Sequence, residues 1–236
     1  MRVFDSRKEL YMLRQILLGN SPKEYLIAFI MCLPVMLLSL SVHESAHGYA
    51  AYKCGDQTAR NFGRITLNPV KHLDPIGFLC MMFVGFGWAK PVPVNSRNFK
   101  NHRRGMILTA LAGPVSNLLL GFIFAVIYKI LFVALGNFQI QTEQQFMILQ
   151  AIVIFLGSAI SLNISLAVFN LLPIPPLDGS KILFTLLPYK LYFKIMPYEK
   201  YISIAFAALL IFGVLTPVIS WCSSNIMNLF FTILAI

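Results

Sequence analysis

Long apolar runs separated by short polar stretches make up most of the chain. A helix needs roughly 20 residues to cross the hydrocarbon core of a bilayer, and most of these runs reach or exceed that length. The pattern therefore predicts an all-α polytopic membrane protein with about five to six transmembrane helices. The clearest runs are 24–51, 105–135, 146–172, 201–216 and 218–236.

Two shorter segments follow the first run. Residues 63–69 alternate in polarity and end in turn residues, which predicts a short membrane-associated strand or β-hairpin. Its edge could pair with an extended substrate. Residues 75–89 are apolar, rich in glycine and flanked by basic residues on both sides. A full crossing would leave one basic flank outside, so we expect a re-entrant segment there.

Composition agrees with a membrane location. Hydrophobic residues make up 58% of the chain and charged residues only 12%, whereas soluble domains average about 25% charged. The formal net charge is +10, and most Lys and Arg fall in 53–71, 90–104 and 181–200. Such basic flanks are typical of cytoplasmic loops, so the lipid bilayer is the expected partner and nucleic acid is not.

The loop between the runs 105–135 and 146–172 has no Lys or Arg, as an external connection should have, so the second of these runs returns to the cytoplasmic side. The basic N-terminal segment 1–23 conflicts with this topology, because it begins outside if 24–51 crosses once. Residues 10–18 lying along the interface or dipping into the membrane would change the count. The four cysteines are scattered and predict no disulfide framework.

His43-Glu44-Ser45-Ala46-His47 forms an H-E-x-x-H motif inside the first apolar run. On a helix, the two histidines lie on one face about 6 Å apart along the axis, which suits capture of zinc. Glu44 lies about 100° round the helix and can activate water without occupying the metal. Two histidines and a glutamate without a function would be costly in a transmembrane helix.

A catalytic zinc site needs a third protein ligand. Asp178 lies in a proline-rich break after the run 146–172, at a depth where it can meet the two histidines. The alternative for Asp178 is a turn or cap residue before Gly179. Two further histidines, His72 and His102, lie among basic polar residues and are expected to be solvated loop histidines. Cys54 is a possible thiolate ligand, but it is disfavoured because it lies past the end of the helix.

H-E-x-x-H in one transmembrane helix, with N-x-x-P-x-P-x-L-D-G after a later one, resembles the site-2 protease family of intramembrane zinc metalloproteases. The second motif runs from Asn170 to Gly179, and Ser180 replaces a glycine found in many relatives. The resemblance covers about 25–215. Stretches 63–69, 87–95 and 113–117 are similar to those of the compact bacterial members that lack PDZ and CBS domains.

The resemblance implies one zinc ion per chain, with His43, His47 and Asp178 as ligands and Glu44 as general acid and base. It also implies that Asn170 positions the substrate or stabilises the oxyanion. The expected protein is a single membrane-embedded metalloprotease domain over 1–236, with its catalytic core at about 25–215. It would cleave transmembrane proteins or peptides in the bacterial cytoplasmic membrane, with the active site toward the cytoplasmic side.

One other class of function stays open at this point, because intramembrane His and Asp also line ion pathways. A membrane metal transporter, or a metal-binding membrane protein without proteolytic activity, would use the same ligands. A transporter would need further ligands along a path to the other face. The runs 105–135 and 201–236 contain no acidic or histidine relay. The carboxylate of Glu44 also has a specific use only in hydrolysis.

Overall fold

The computed structural model describes residues 22–84, 87–135 and 142–235, and most of these residues are helical. Within these ranges, four helices are long and apolar enough to cross a membrane: α1 (Pro22–Lys53), α5 (His102–Leu135), α6 (Glu143–Leu171) and α10 (Thr216–Leu234). In α1 the candidate span is Ile30–Lys53. The prediction of an all-α integral membrane protein is confirmed, whereas the exact number of crossings is not.

Helix α5 lies at the centre of the bundle and contacts α1, α6 and α10. Its buried residues include Gly113, Gly121 and Ala125, small side chains that allow neighbouring helices to approach closely. A Cβ on Gly121 would lie 3.3 Å from the Cβ of Asn163 on α6. Further along, Ala125 packs with Ile160 of α6 in a core that α10 covers.

The α1–α5 connection (54–101) contains three short helices: α2 (Thr58–Asn61), α3 (Pro69–His72) and α4 (Pro75–Val84). A 3-10 turn, Ser96–Asn98, precedes α5. Residues 87–95, which precede this turn, contain no helix, and Ala89 forms an isolated antiparallel bridge with Leu73. With ten residues, α4 extends about 15 Å, too short to cross a bilayer. The re-entrant segment predicted at 75–89 includes residues 85 and 86, which lie outside the described residues, and it stays a prediction.

The predicted strand or hairpin at 63–69 is not confirmed, because 63–68 form a turn, a bend and irregular backbone, and Pro69 begins α3. The physical reason is local. The N–H of Thr66 donates to Ser45 Oγ, and the N–H of Asn68 donates to Thr66 Oγ1. Arg64 donates its N–H to the carbonyl of Ala59. These hydrogen bonds replace the regular ladder that a strand would need.

After α6, the prolines at 173, 175 and 176 end the helix, and the chain continues through three shorter helices. These are α7 (Asp178–Leu186), α8 (Tyr189–Ile195) and α9 (Glu199–Ile211). The predicted span 201–216 instead ends at Ile211, and α9 has 13 residues, or about 20 Å. The predicted break between the runs 201–216 and 218–236 is misplaced: the turn occupies 212–215, and Pro217 lies in the first turn of α10.

Candidate metal centre

Two histidines of α1 and the first residue of α7 meet in the interior. His43, His47 and Asp178 are all buried, and one ligand atom from each lies within 4.8 Å of the others. The two Nε2 atoms are 3.0 Å apart, and Asp178 Oδ2 is 3.2 Å from that of His43 and 3.0 Å from that of His47. The three residues singled out by sequence therefore lie together.

These spacings resemble those of a zinc site. Zinc bonds of about 2.0–2.1 Å in a tetrahedron place neighbouring ligand atoms about 3.3 Å apart, close to the distances among His43, His47 and Asp178. Helix α5 leaves space beside these atoms because Gly113 has no side chain. A Cβ at this position would lie 2.5 Å from Nε2 of His47 and 2.6 Å from Nε2 of His43. The donor set and the space at Gly113 both fit a bound zinc ion.

A hydrogen bond at Nδ1, the ring nitrogen turned away from Asp178, fixes the orientation of the His47 ring. His47 Nδ1 lies 2.7 Å from the carbonyl oxygen of Thr109 on α5. A carbonyl can only accept, so Nδ1 carries the hydrogen and Nε2 keeps its lone pair for a metal. Nδ1 of His43 is buried and has no hydrogen-bond partner among the described residues.

Asp178 reaches the histidines because α7 begins directly against the end of α6. A Cβ on Gly179 would collide with the carbonyl oxygens of Leu171 and Leu172, so only glycine permits this approach. Lys181 donates to Asp178 Oδ1 at 2.8 Å, leaving Oδ2 toward the histidines. Burial by itself would raise the pKa of Asp178, but its polar contacts with the His43 and His47 rings and the positive charge of Lys181 hold the pKa well below its ordinary value.

Glu44 is half-buried on α1, between the two histidines in sequence. Its Oε2 accepts a hydrogen bond from the backbone N–H of Val92 at 2.8 Å. The carboxylate is thus held by the α1–α5 connection rather than by His43, His47 or Asp178. Its predicted role as general acid and base stays a prediction.

Asn170 lies half-buried in the last turn of α6. Its Nδ2 donates to the carbonyl of Leu166 at 2.9 Å, which uses one of the two amide hydrogens. No hydrogen bond joins it to His43, His47 or Asp178 among the described residues. Its role toward a substrate stays a prediction.

His72 is buried, although its basic and polar sequence neighbours indicate an exposed loop. The prediction that His72 is solvated is wrong: it is only 2% exposed, and its Nε2 donates to the carbonyl of Thr66 at 2.8 Å. Ser45, inside the H-E-x-x-H motif, donates to the same carbonyl. The burial comes from this tertiary contact with α1. His102, by contrast, is exposed as predicted, at the start of α5.

Sequence reasoning missed two anchors of the α1–α5 connection. Asp56 is fully buried and accepts hydrogen bonds from Asn95 N at 2.7 Å, Asn98 Nδ2 at 2.8 Å, and both N and Oγ1 of Thr58. The buried Arg64 donates through Nη2 to the carbonyls of Lys90 and Pro91. The proximity of Asp56 to the end of α1 was the available signal, but it looked like an ordinary turn residue.

Two buried histidines in a helix long enough to span a bilayer, paired with a buried carboxylate from another helix, are typical of a membrane metalloprotein. Comparison with known proteins narrows the class. The sequence model of peptidase family M50 matches residues 31–214. The chain is 45% identical over 157 residues to "Putative zinc metalloprotease YwhC" of Bacillus subtilis, covering 65% of this chain and 67% of the relative. No solved structure matches it significantly.

A second group of relatives is more distant. Rip2 of Mycobacterium tuberculosis, also named a zinc metalloprotease, is 31% identical over 164 residues, and the Mycolicibacterium smegmatis Rip2 is 29% identical over 163. The matched region spans 58% of each Rip2 chain. Because the family model covers more than half of the chain, the chain belongs to peptidase family M50, the site-2 protease family. Membership supports an intramembrane zinc metalloprotease with zinc as its cofactor.

Proposed function

We propose that this protein hydrolyses peptide bonds within or next to transmembrane segments of membrane-protein substrates. His43, His47 and Asp178 would hold one zinc ion, and Glu44 would act as general base and then general acid. The observation that carries the proposal is the meeting of three buried ligand atoms within 4.8 Å. Glu44 follows His43 directly on α1, so the base is fixed to the same helix as two ligands.

A bound zinc ion supplies Lewis-acid polarisation of the scissile carbonyl and lowers the pKa of a coordinated water. Glu44 takes one proton from the attacking water as the oxygen bonds to the carbonyl carbon. It then gives that proton to the nitrogen of the leaving amine as the C–N bond breaks. The second amide hydrogen of Asn170 would donate to the oxyanion that develops on the carbonyl oxygen.

We propose that the site opens toward the cytoplasmic side of a bacterial membrane. α1 ends at Lys53 and leads into a connection that carries Arg60 and Arg64, and Asp178 is followed by Lys181 and Lys190. Segments this basic favour the cytoplasmic face. His47 lies fewer than two turns before the end of α1, so the metal centre would sit near that face.

A transmembrane substrate presents its carbonyls in helical hydrogen bonds, so it has to unwind before attack. The exposed apolar side chains of α5 and α6, such as Leu119 and Ile152, suit contact with lipid or with a substrate helix. We propose one membrane-embedded catalytic domain over 1–236, with its core at about 25–215. The proposed substrate is therefore an unwound transmembrane or membrane-adjacent segment of a protein.

The test compares detergent-purified wild type with Glu44→Gln and Asp178→Ala on a panel of single-span substrates. Zinc content is measured by atomic absorption, and cleavage sites by mass spectrometry. Wild type should carry about one zinc and cleave. Glu44→Gln should keep zinc and lose cleavage, and Asp178→Ala should bind zinc weakly. Glu143→Gln, at the exposed start of α6, is the matched control and should behave as wild type.

Three results would contradict the proposal separately. Cleavage by Glu44→Gln at the wild-type rate removes the general base. Wild-type zinc affinity in Asp178→Ala removes the third ligand. Zinc flux into proteoliposomes by a protein that binds zinc and cleaves no substrate favours the transporter instead.

A further inference from the structure

The α1–α5 connection brings one backbone amide onto the proposed base. Val92 N donates to Glu44 Oε2 at 2.8 Å. The side chain of Val92 packs on the same helix, since a Cβ on Gly48 would lie 3.2 Å from Val92 Cγ1. A single buried residue therefore contacts α1 at two positions one turn apart.

Prolines on both sides make this amide a fixed donor. Pro91 and Pro93 have no N–H, so Val92 supplies the backbone donor of this tripeptide. A proline also restricts the residue before it to extended conformations, which applies here to Lys90 and Val92. The segment therefore cannot become helical and turn the N–H of Val92 away from Glu44.

Hydrogen bonds made by residues before and after Val92 in the chain fix its position relative to α1. Lys90 N donates to the carbonyl of His72 at 2.8 Å. Arg64 Nη2 donates to the carbonyls of Lys90 at 2.7 Å and Pro91 at 3.2 Å. Three residues further on, Asn95 N donates to the buried Asp56. The N–H of Val92 is thus aimed by contacts both before and after it.

We propose that Val92 is a positioning residue for peptide hydrolysis, acting through its backbone N–H on Glu44. The hydrogen bond fixes Oε2 and presents the second oxygen, Oε1, to the attacking water. Proton transfer needs donor and acceptor about 2.6–3.2 Å apart, so a carboxylate free to rotate spends less time in range. The inference rests on the proposed function, in which Glu44 is the base, and predicts an effect on kcat rather than on KM.

The direct test replaces the Val92 amide with an ester, by incorporating the α-hydroxy analogue of valine during translation. The substitution deletes the N–H and keeps the side chain and the extended backbone. The same replacement at Val94, whose N–H has no hydrogen-bond partner in the described parts of the chain, is the matched control. We expect the Val92 ester to lower kcat about 10- to 100-fold, as loss of a hydrogen bond to a charged group does.

The Val92 ester also makes the Pro91 carbonyl a weaker acceptor for its hydrogen bond from Arg64. A second pair of variants separates this effect from the loss of the Val92 N–H. Val92→Pro removes the N–H but leaves an amide carbonyl at Pro91, and Val92→Ala keeps the N–H while losing side-chain packing. We expect kcat to fall in Val92→Pro well below that of Val92→Ala. In metal-free protein, the infrared carboxylate band that Glu44→Gln abolishes should also shift in the ester protein.

KM and zinc affinity should stay within about twofold of wild type in the ester protein, because neither ligand nor substrate contacts change. An unchanged kcat in both the ester and Val92→Pro proteins, with Glu44→Gln inactive, overturns the role of Val92 alone. Full activity of Glu44→Gln overturns the proposed base and this inference with it. A loss of zinc parallel to the loss of kcat would show a structural defect and also reject the positioning role.

Discussion

The candidate metal centre and the α1–α5 connection are both buried polar arrangements, yet they are held in different ways. In the candidate metal centre, His43 and His47 meet Asp178 because helices approach closely at Gly113 and Gly179. In the connection, Asp56 and other side chains bind backbone groups. Helix packing thus sets the positions of the three proposed ligands, whereas side-chain hydrogen bonds to loop backbone set the position of the proposed base.

The two regions meet at Glu44. It lies on α1 with the proposed ligands His43 and His47, but its Oε2 accepts a hydrogen bond from the N–H of Val92 in the connection. Damage to helix packing should therefore remove the metal, and damage to the connection should leave the metal and impair the proton transfer. Variants that separate zinc binding from turnover test this division.

The largest effect is expected from Gly113→Ala. The new methyl group would lie 2.5–2.6 Å from the histidine Nε2 atoms, where a zinc ion needs space. Alanine favours helices more than glycine does, so α5 itself should not be weakened. We expect zinc affinity, measured by chelator competition, to fall by more than about 100-fold, beyond the usual cost of altering a supporting residue.

Gly121→Ala is the control for Gly113→Ala, since it lies two turns along the same helix face. Its Cβ would lie 3.3 Å from that of Asn163, a tight contact remote from the histidines. We expect zinc affinity within a few-fold of wild type. Unimpaired zinc binding by Gly113→Ala would instead place the metal away from His43 and His47.

The next effect concerns the connection. Asp56→Asn keeps the shape of the side chain but turns one acceptor oxygen into an NH₂ group, which faces the N–H of Asn95 or the amide of Asn98. We expect hydrogen-exchange protection of 94–99 to fall about tenfold, because one charged acceptor is lost. kcat should fall several-fold with zinc affinity unchanged. Equal losses of zinc and kcat would refute the separation of the two regions.

How far the sequence predicts these features depends on how local their cause is. His43, His47 and Glu44 were recognisable because a motif with helical spacing lies inside an apolar run. The burial of His72 was not, since it depends on Thr66 and Ser45 meeting across 21 residues of sequence. The end of α9 was misplaced because a proline is compatible with both a turn and the first turn of a helix.

A smaller effect follows from the acid titration of the connection. Burial alone would raise the pKa of Asp56, but hydrogen bonds from Thr58, Asn98 and Asn95 outweigh it and hold the pKa below its ordinary 3.8. A lowered folded-state pKa means that the stabilisation is complete above about pH 4 and is lost as pH falls through the folded-state pKa. Corrected exchange rates of 94–99 should therefore rise below pH 4 in wild type and change less in Asp56→Asn.

The smallest effect is expected from Lys181→Met. Lys181 is half-exposed and pairs with Asp178 Oδ1, the oxygen turned away from the histidines. Exposed ion pairs contribute little, and methionine keeps the aliphatic part of the side chain, so we expect zinc affinity to weaken only about two- to fivefold. Lys194→Met, on exposed α8, is the control and should have no effect. A loss above about tenfold would mean that the Lys181 charge, rather than the approach of α7 to α6 at Gly179, orients Asp178; that result would move the main determinant of the third ligand from helix packing to electrostatics.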